Sequence, residues 1–135
     1  MSSLDPSRLF RAFGDPLRLR ILHLLRSGEV CVGDLVEALR APQPTVSRQL
    51  AVLREAGLIA ARRDGRWSFY ALAETDHPLQ RRLLGCVASC FDEVPELRED
   101  ERRLADLLAD GGCCAKSTTP PTDPPRRRTA AGSPR

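Results

Sequence analysis

Residues 43–72 read QPTVSRQLAVLREAGLIAARRDGRWSFYAL, and this stretch decides the fold. Val46, Leu50 and Leu53 recur at helical spacing with polar residues between them, and Gly57 supplies a C-terminal stop. Residues 58–63 and 66–72 are strand-like runs flanking Asp64-Gly65, a strong hairpin signal. The second run holds Trp67, Phe69 and Tyr70, half of the chain's aromatic residues. Upstream, the break Ala41-Pro42-Gln43-Pro44 separates this helix from a short one carrying Val32, Leu35, Val36 and Leu39. Two short helices joined by a tight turn, the second polar on its outer side, form a helix-turn-helix. A β-hairpin directly after it makes a winged helix.

The rest of the ordered chain reads as helix. Asp5-Pro6 and Asp15-Pro16 each pair an N-cap with proline at the first helical position. Leu9, Phe10 and Phe13 mark the first helix, which stops at Gly14. Leu17, Ile21, Leu24 and Leu25 mark the second, which ends at Ser27-Gly28 before an extended Glu29-Val30-Cys31. A fifth helix spans about 78–91, with Leu79, Leu83, Cys86 and Cys90 in one stripe. A sixth runs from near Pro95 to Gly111-Gly112. The expected fold class is mainly α, with five to six helices and one hairpin wing. So small a core calls for further apolar partners, which a homodimer through the terminal helices would supply.

The chain has 135 residues, with a formal net charge of +3. That length suits one domain and a tail. The charge divides unevenly: residues 1–75 carry +3, residues 76–115 carry −4 and the last twenty carry +4. We expect a DNA-binding unit over 1–95, a dimer-supporting helix over 96–112, and a cysteine pair with a disordered Pro/Arg-rich tail over 113–135. Arg126-Arg127-Arg128 in that tail reads as a solvated basic run. With no secretory signal shape and no long apolar run, the expected location is cytoplasmic, with no membrane partner. None of the five cysteines is followed six positions later by arginine, and no Cys-x-x-Cys or phosphate loop occurs, so an enzyme is not expected.

The outer side of the fourth helix offers Gln43, Thr45, Ser47, Arg48 and Gln49. Arg pairs with guanine, Gln with adenine and Ser or Thr with either, and the N-terminal residues of such a helix make most base contacts. Gln43, Thr45, Ser47 and Arg48 are therefore the expected readers of double-stranded operator DNA. Arg62, Arg63 and Arg66 flank the hairpin turn and suit phosphates or a minor groove.

Four segments, in order, resemble the ArsR/SmtB family of metal-sensing repressors: residues 9–21, residues 29–35, residues 43–50 and residues 65–70. The resemblance covers roughly residues 4–95. It implies a homodimeric repressor that sits on its operator and is released by an inducer, here in its arsenical-sensing branch. That branch carries Cys-Val-Cys-Asp-Leu at the start of the third helix, whereas this chain reads Cys31-Val32-Gly33-Asp34-Leu35. Cys31 is therefore expected to be a relic of that site, packed into the helix start. Trivalent arsenic or antimony, as inducer, takes three thiolates, and soft thiolate ligands suit such centres. The expected ligands are Cys113 and Cys114 beyond the glycine pair, with Cys90 and Cys86 on the fifth helix. Some relatives in the arsenical branch likewise carry an adjacent cysteine pair near the C-terminus. Cys86 and Cys90 also fit as buried apolar packing. Cadmium, lead, or thiol oxidants and persulfides are the alternative signals, and no organic cofactor is expected. His77 is expected to neighbour the cap of the fifth helix, and His23 to lie on the surface.

Overall fold

A computed structural model describes residues 5–91 and 93–112. Both start signals near the N-terminus act as read. The Asp5 carboxylate accepts the Ser7 backbone N–H at 3.1 Å to open α1 (Pro6–Phe13). Asp15 accepts that of Arg18 at 3.1 Å to open α2 (Pro16–Leu25). There follow β1 (Val30–Cys31), α3 (Val32–Leu39), α4 (Gln43–Glu55), β2 (Ile59–Asp64), β3 (Trp67–Leu72), α5 (Pro78–Cys90) and α6 (Pro95–Ala109). The helix-turn-helix is α3 and α4, and β2 and β3 form the wing.

The sheet has three strands, not two. β3 lies between β1 and β2, both antiparallel to it. Val30 pairs with Tyr70 and Cys31 with Phe69. A two-residue strand carries no alternation to read, so its pairing was invisible in the sequence. The turn also sits one residue later than expected. Asp64 pairs with Trp67, which makes Gly65-Arg66 the turn residues. Gly65 has φ 63°, matching a turn that wants glycine first.

The core gathers around α2. Ile21, Leu22 and Leu25 are buried with Leu35 and Leu39 of α3, Val46, Leu50 and Leu53 of α4, and Leu58. α2 touches α1, α3, α4, α5 and α6, so its last turn has no water-facing side. This overturns the surface placement of His23, which is 1% exposed. Its Nε2 lies 3.5 Å from Glu101 Oε1. His77 caps α5 through Nδ1, accepting from Leu79 N at 3.3 Å.

On α5 the buried residues are Gln80, Leu84 and Val87. The inward side is thus rotated one residue from the expected stripe. Leu79 and Leu83 are half-buried, and Cys86 and Cys90 are exposed. α6 packs on α2 and α3. Asp100, fully buried, accepts from Arg20 Nε at 2.8 Å and from Arg103 Nη2 at 2.7 Å. The same two arginines donate to the Leu39 and Ala38 carbonyls at 2.9 and 2.7 Å. Arg103 thereby ties α6 directly to the C-terminal end of α3, and Arg20 ties α2 to both.

Candidate nucleic-acid interface and thiol groups

α4 turns its apolar residues inward and leaves its first turns open. Val46, Leu50 and Leu53 are buried, while Gln43, Ser47 and Arg48 are exposed and Thr45 is half-buried. Pro42 precedes the helix in an extended conformation with no side-chain cap. The N–H groups of the first turn thus have no capping side chain and keep their positive end available to an anion. The preceding α3 ends at Arg40, the one non-glycine residue with positive φ (54°) among the described residues. That left-handed residue bends the chain between the two helices.

Gln49 departs from the expected outer set. Its Oε1 accepts from Arg18 Nη1 at 2.6 Å. Arg18 also donates from Nε to the Ala12 carbonyl and from Nη2 to that of Arg11, each at 2.9 Å. One guanidinium thereby ties α4 to the end of α1. At its other end α4 is held by α5: Gln80 Nε2 donates to the Ala56 carbonyl at 3.0 Å, and Thr75 Oγ1 donates to Gln80 Oε1 at 2.7 Å. Neither bracing residue stands out in the sequence. Arg18 and Gln49 lie 31 positions apart and match no motif.

The wing arginines separate into two kinds. Arg62 donates from Nε and Nη2 to the two Glu29 carboxylate oxygens, each at 2.8 Å, and lies 4.7 Å from the Phe69 ring centre. The hydrogen bonds to Glu29 hold its pKa above the ordinary guanidinium value. Its head is thus engaged in joining the wing to the start of β1. Arg63 and Arg66 are exposed, and the Arg66 guanidinium lies 5.8 Å from the Trp67 ring.

The thiols also fall into groups. Cys86 and Cys90 are free and exposed, and hydrogen bonding to Cys90 holds the Cys86 thiol above its usual range. Cys31 is 3% exposed and disulfide-bonded. Asp34 Oδ2 lies 3.6 Å from its sulfur. Cys113, Cys114 and the Arg126-Arg127-Arg128 run are also outside the described residues. Among the described residues, no three His, Cys, Asp or Glu side chains are grouped to hold a metal ion. The α3 start offers one sulfur, because Gly33 carries no side chain where the arsenical motif has its second cysteine. No described helix is long and apolar enough to cross a membrane.

Residues 15–61, from the start of α2 to the wing, match the model of the bacterial regulatory protein, arsR family. An HTH-type transcriptional regulator of Methanocaldococcus jannaschii is 45% identical over 69 residues, 50% of this chain and 78% of that protein. The chain belongs to the ArsR family. Its members are DNA-binding transcriptional regulators, not enzymes. The arsenical resistance operon repressor of Escherichia coli is 49% identical over 74 residues, which are 54% of this chain. The match spans 63% of that repressor's length. Among solved structures, a homodimeric winged helix-turn-helix DNA-binding domain from Mycobacterium bovis, described as a possible ArsR-family regulator, superposes with a TM-score of 0.55 at 33% identity. It covers 67% of this ArsR-family chain and 82% of its own.

Proposed function

We propose that the chain is an operator-binding repressor, acting as a homodimer, that trivalent arsenic or antimony releases through cysteine thiolates to switch on an arsenical resistance operon. The observation that carries the DNA reading is the division of α4. Gln43, Ser47 and Arg48 stand exposed on its first turns, while Val46, Leu50 and Leu53 fix the helix from behind. Thr45 at the edge of that surface completes the readers. Arg63 and Arg66 add exposed wing cations for backbone contacts, and Arg62 holds the wing in place through Glu29. Dimerisation would cover apolar side chains left open on the terminal helices, among them Phe10 on α1 (55% exposed) and Leu108 on α6 (50% exposed).

Residues 1–95 would carry DNA binding, 96–112 the supporting helix, and 113–135 the Cys113-Cys114 pair and tail. The E. coli relative's name supports an arsenical signal. The C-terminal pair supplies two thiolates, with Cys86 and Cys90 on α5 as further thiols in the chain. A second reading keeps the fold and takes thiol oxidation as the signal, and the disulfide at Cys31 favours it.

The DNA reading is tested by fluorescence anisotropy on the duplex directly upstream of the chain's own coding sequence. Wild type is expected to bind it, with Arg48→Ala weakening binding by roughly 5- to 150-fold, the equivalent of ~1–3 kcal/mol for a base contact. Unchanged affinity in that variant would remove Arg48 from the readers. No wild-type binding above that to random duplex would overturn operator recognition by this chain.

A further inference from the structure

Arg18, Arg20, Arg26, Arg62 and Arg103 are the half-buried arginines among the described residues. All but Arg18 meet a carboxylate: Arg20 and Arg103 share Asp100, Arg26 bonds Glu101 at 2.6 Å and Arg62 bonds Glu29. The Arg18 guanidinium instead donates to the carbonyls of Ala12 and Arg11 and to Gln49 Oε1, all of them uncharged acceptors. The Asp15 carboxylate, three residues earlier, accepts the Arg18 backbone N–H as the cap of α2. The C-terminal carbonyls of α1 supply only about half of one negative charge against it. A cation partly withdrawn from water without a counter-charge is costly, and an anion brought close relieves that cost.

The same contact settles how the Gln49 amide is turned. A guanidinium carries donors and no acceptor, so only the amide oxygen can face Arg18. The amide nitrogen is left on the other side, open to solvent and donating to nothing among the described residues. Gln49 follows Thr45 by one turn and adjoins exposed Arg48, at the edge of the outward surface of α4. A glutamine that reads adenine uses its oxygen and its nitrogen together. Here the oxygen is already engaged. What remains is a pair of N–H donors beside an uncompensated positive charge, which suits a phosphate oxygen better than a base edge.

We propose that Gln49 is a phosphate contact of α4 and that Arg18 is its positioning residue. This rests on the DNA reading above and adds a backbone contact to it. Gln49 donates from Nε2 to a DNA phosphate oxygen. Arg18 turns the amide for that bond, and its charge strengthens the bond without touching the DNA. Such a contact is the same on every sequence, so it seats α4 while Gln43, Thr45, Ser47 and Arg48 read the bases.

The test measures anisotropy of full-length protein on the upstream duplex and on random duplex, at low salt. Gln49→Ala is expected to bind both about tenfold more weakly, leaving the ratio between them unchanged. Gln49→Glu gives Arg18 a charged partner, so its urea midpoint is expected to be no lower than that of wild type. It is nonetheless expected to lose at least about tenfold on both duplexes. A second series replaces the phosphates of the upstream duplex one at a time by uncharged methylphosphonate. Wild type is expected to lose affinity at one linkage in each half-site where Gln49→Ala loses nothing further. Arg18→Lys, which keeps the charge but not the fork holding the amide, is expected to blunt the effect of that same linkage. Full sensitivity there in Arg18→Lys would remove Arg18 as the positioning residue. A loss by Gln49→Ala on the upstream duplex alone would make Gln49 a base reader and overturn the phosphate contact. Equal responses of wild type and Gln49→Ala at every linkage would overturn it too, as would undiminished binding by Gln49→Glu, which would leave Gln49 a brace of α4 only. If wild type binds neither duplex, the DNA reading itself fails.

Discussion

Arg40 holds a conformation that disfavours every side chain with a Cβ, at φ 54° between the two helices of the DNA-binding motif. Arg40→Gly should therefore raise stability by about 0.5–1 kcal/mol, the left-handed strain relieved exceeding the entropy that glycine adds to the unfolded chain. Denaturant melts compared with wild type would show it, and a lower midpoint would mean that the arginine contributes more than its backbone strain costs. Single residues also mark the limit of what the sequence disclosed. Gln43, Ser47 and Arg48 were legible because helical periodicity separates outward from inward positions. Gln49 shares that outer arc, yet it is held by Arg18, a contact that arises only once α1, α2 and α4 are packed. Arg62 likewise stands among the wing cations in sequence, and only the fold brings Glu29 on the neighbouring segment to its side.

At the scale of elements, the Asp100 cluster fastens α6 to the rest of the molecule. Removing its carboxylate would leave the part-buried Arg20 and Arg103 facing each other without their shared acceptor. Asp100→Ala should cost about 3–5 kcal/mol, the usual penalty for breaking one side of a buried ion pair. Urea unfolding measures it, and a loss below about 1 kcal/mol would show that α6 is held by its leucines alone. Helix starts were legible because Asp-Pro is a local signal, and the wing because two strands and their turn are contiguous in sequence. β1 was not, since Val30 and Cys31 become a strand only through pairing with Tyr70 and Phe69, some forty positions away. His23 and the inward side of α5 were misplaced for a related reason. Burial there is set by how many helices surround α2 and by which residues meet the core, and neither can be read from one helix's own spacing.

For the whole molecule, the modest net charge of +3 means that DNA affinity must come from where the cations stand. Arg48 on α4 and Arg63 and Arg66 on the wing are exposed, whereas Arg18, Arg20, Arg62 and Arg103 are occupied within the fold. Arg63→Ala/Arg66→Ala should accordingly flatten the dependence of log affinity on log salt by about two, close to one for each phosphate no longer neutralised. An unchanged slope would take the wing off the DNA backbone. The exposed DNA-facing side chains of α4 and the wing include no cysteine, so a thiol-bound inducer would act on operator binding through the fold and not by competing for one surface. The most direct measurement is the anisotropy of labelled upstream duplex bound to reduced protein as arsenite is added. Release is expected, with affinity falling roughly 5- to 150-fold, a typical coupling between sites. Undiminished DNA binding at arsenite concentrations that saturate the thiols would contradict it.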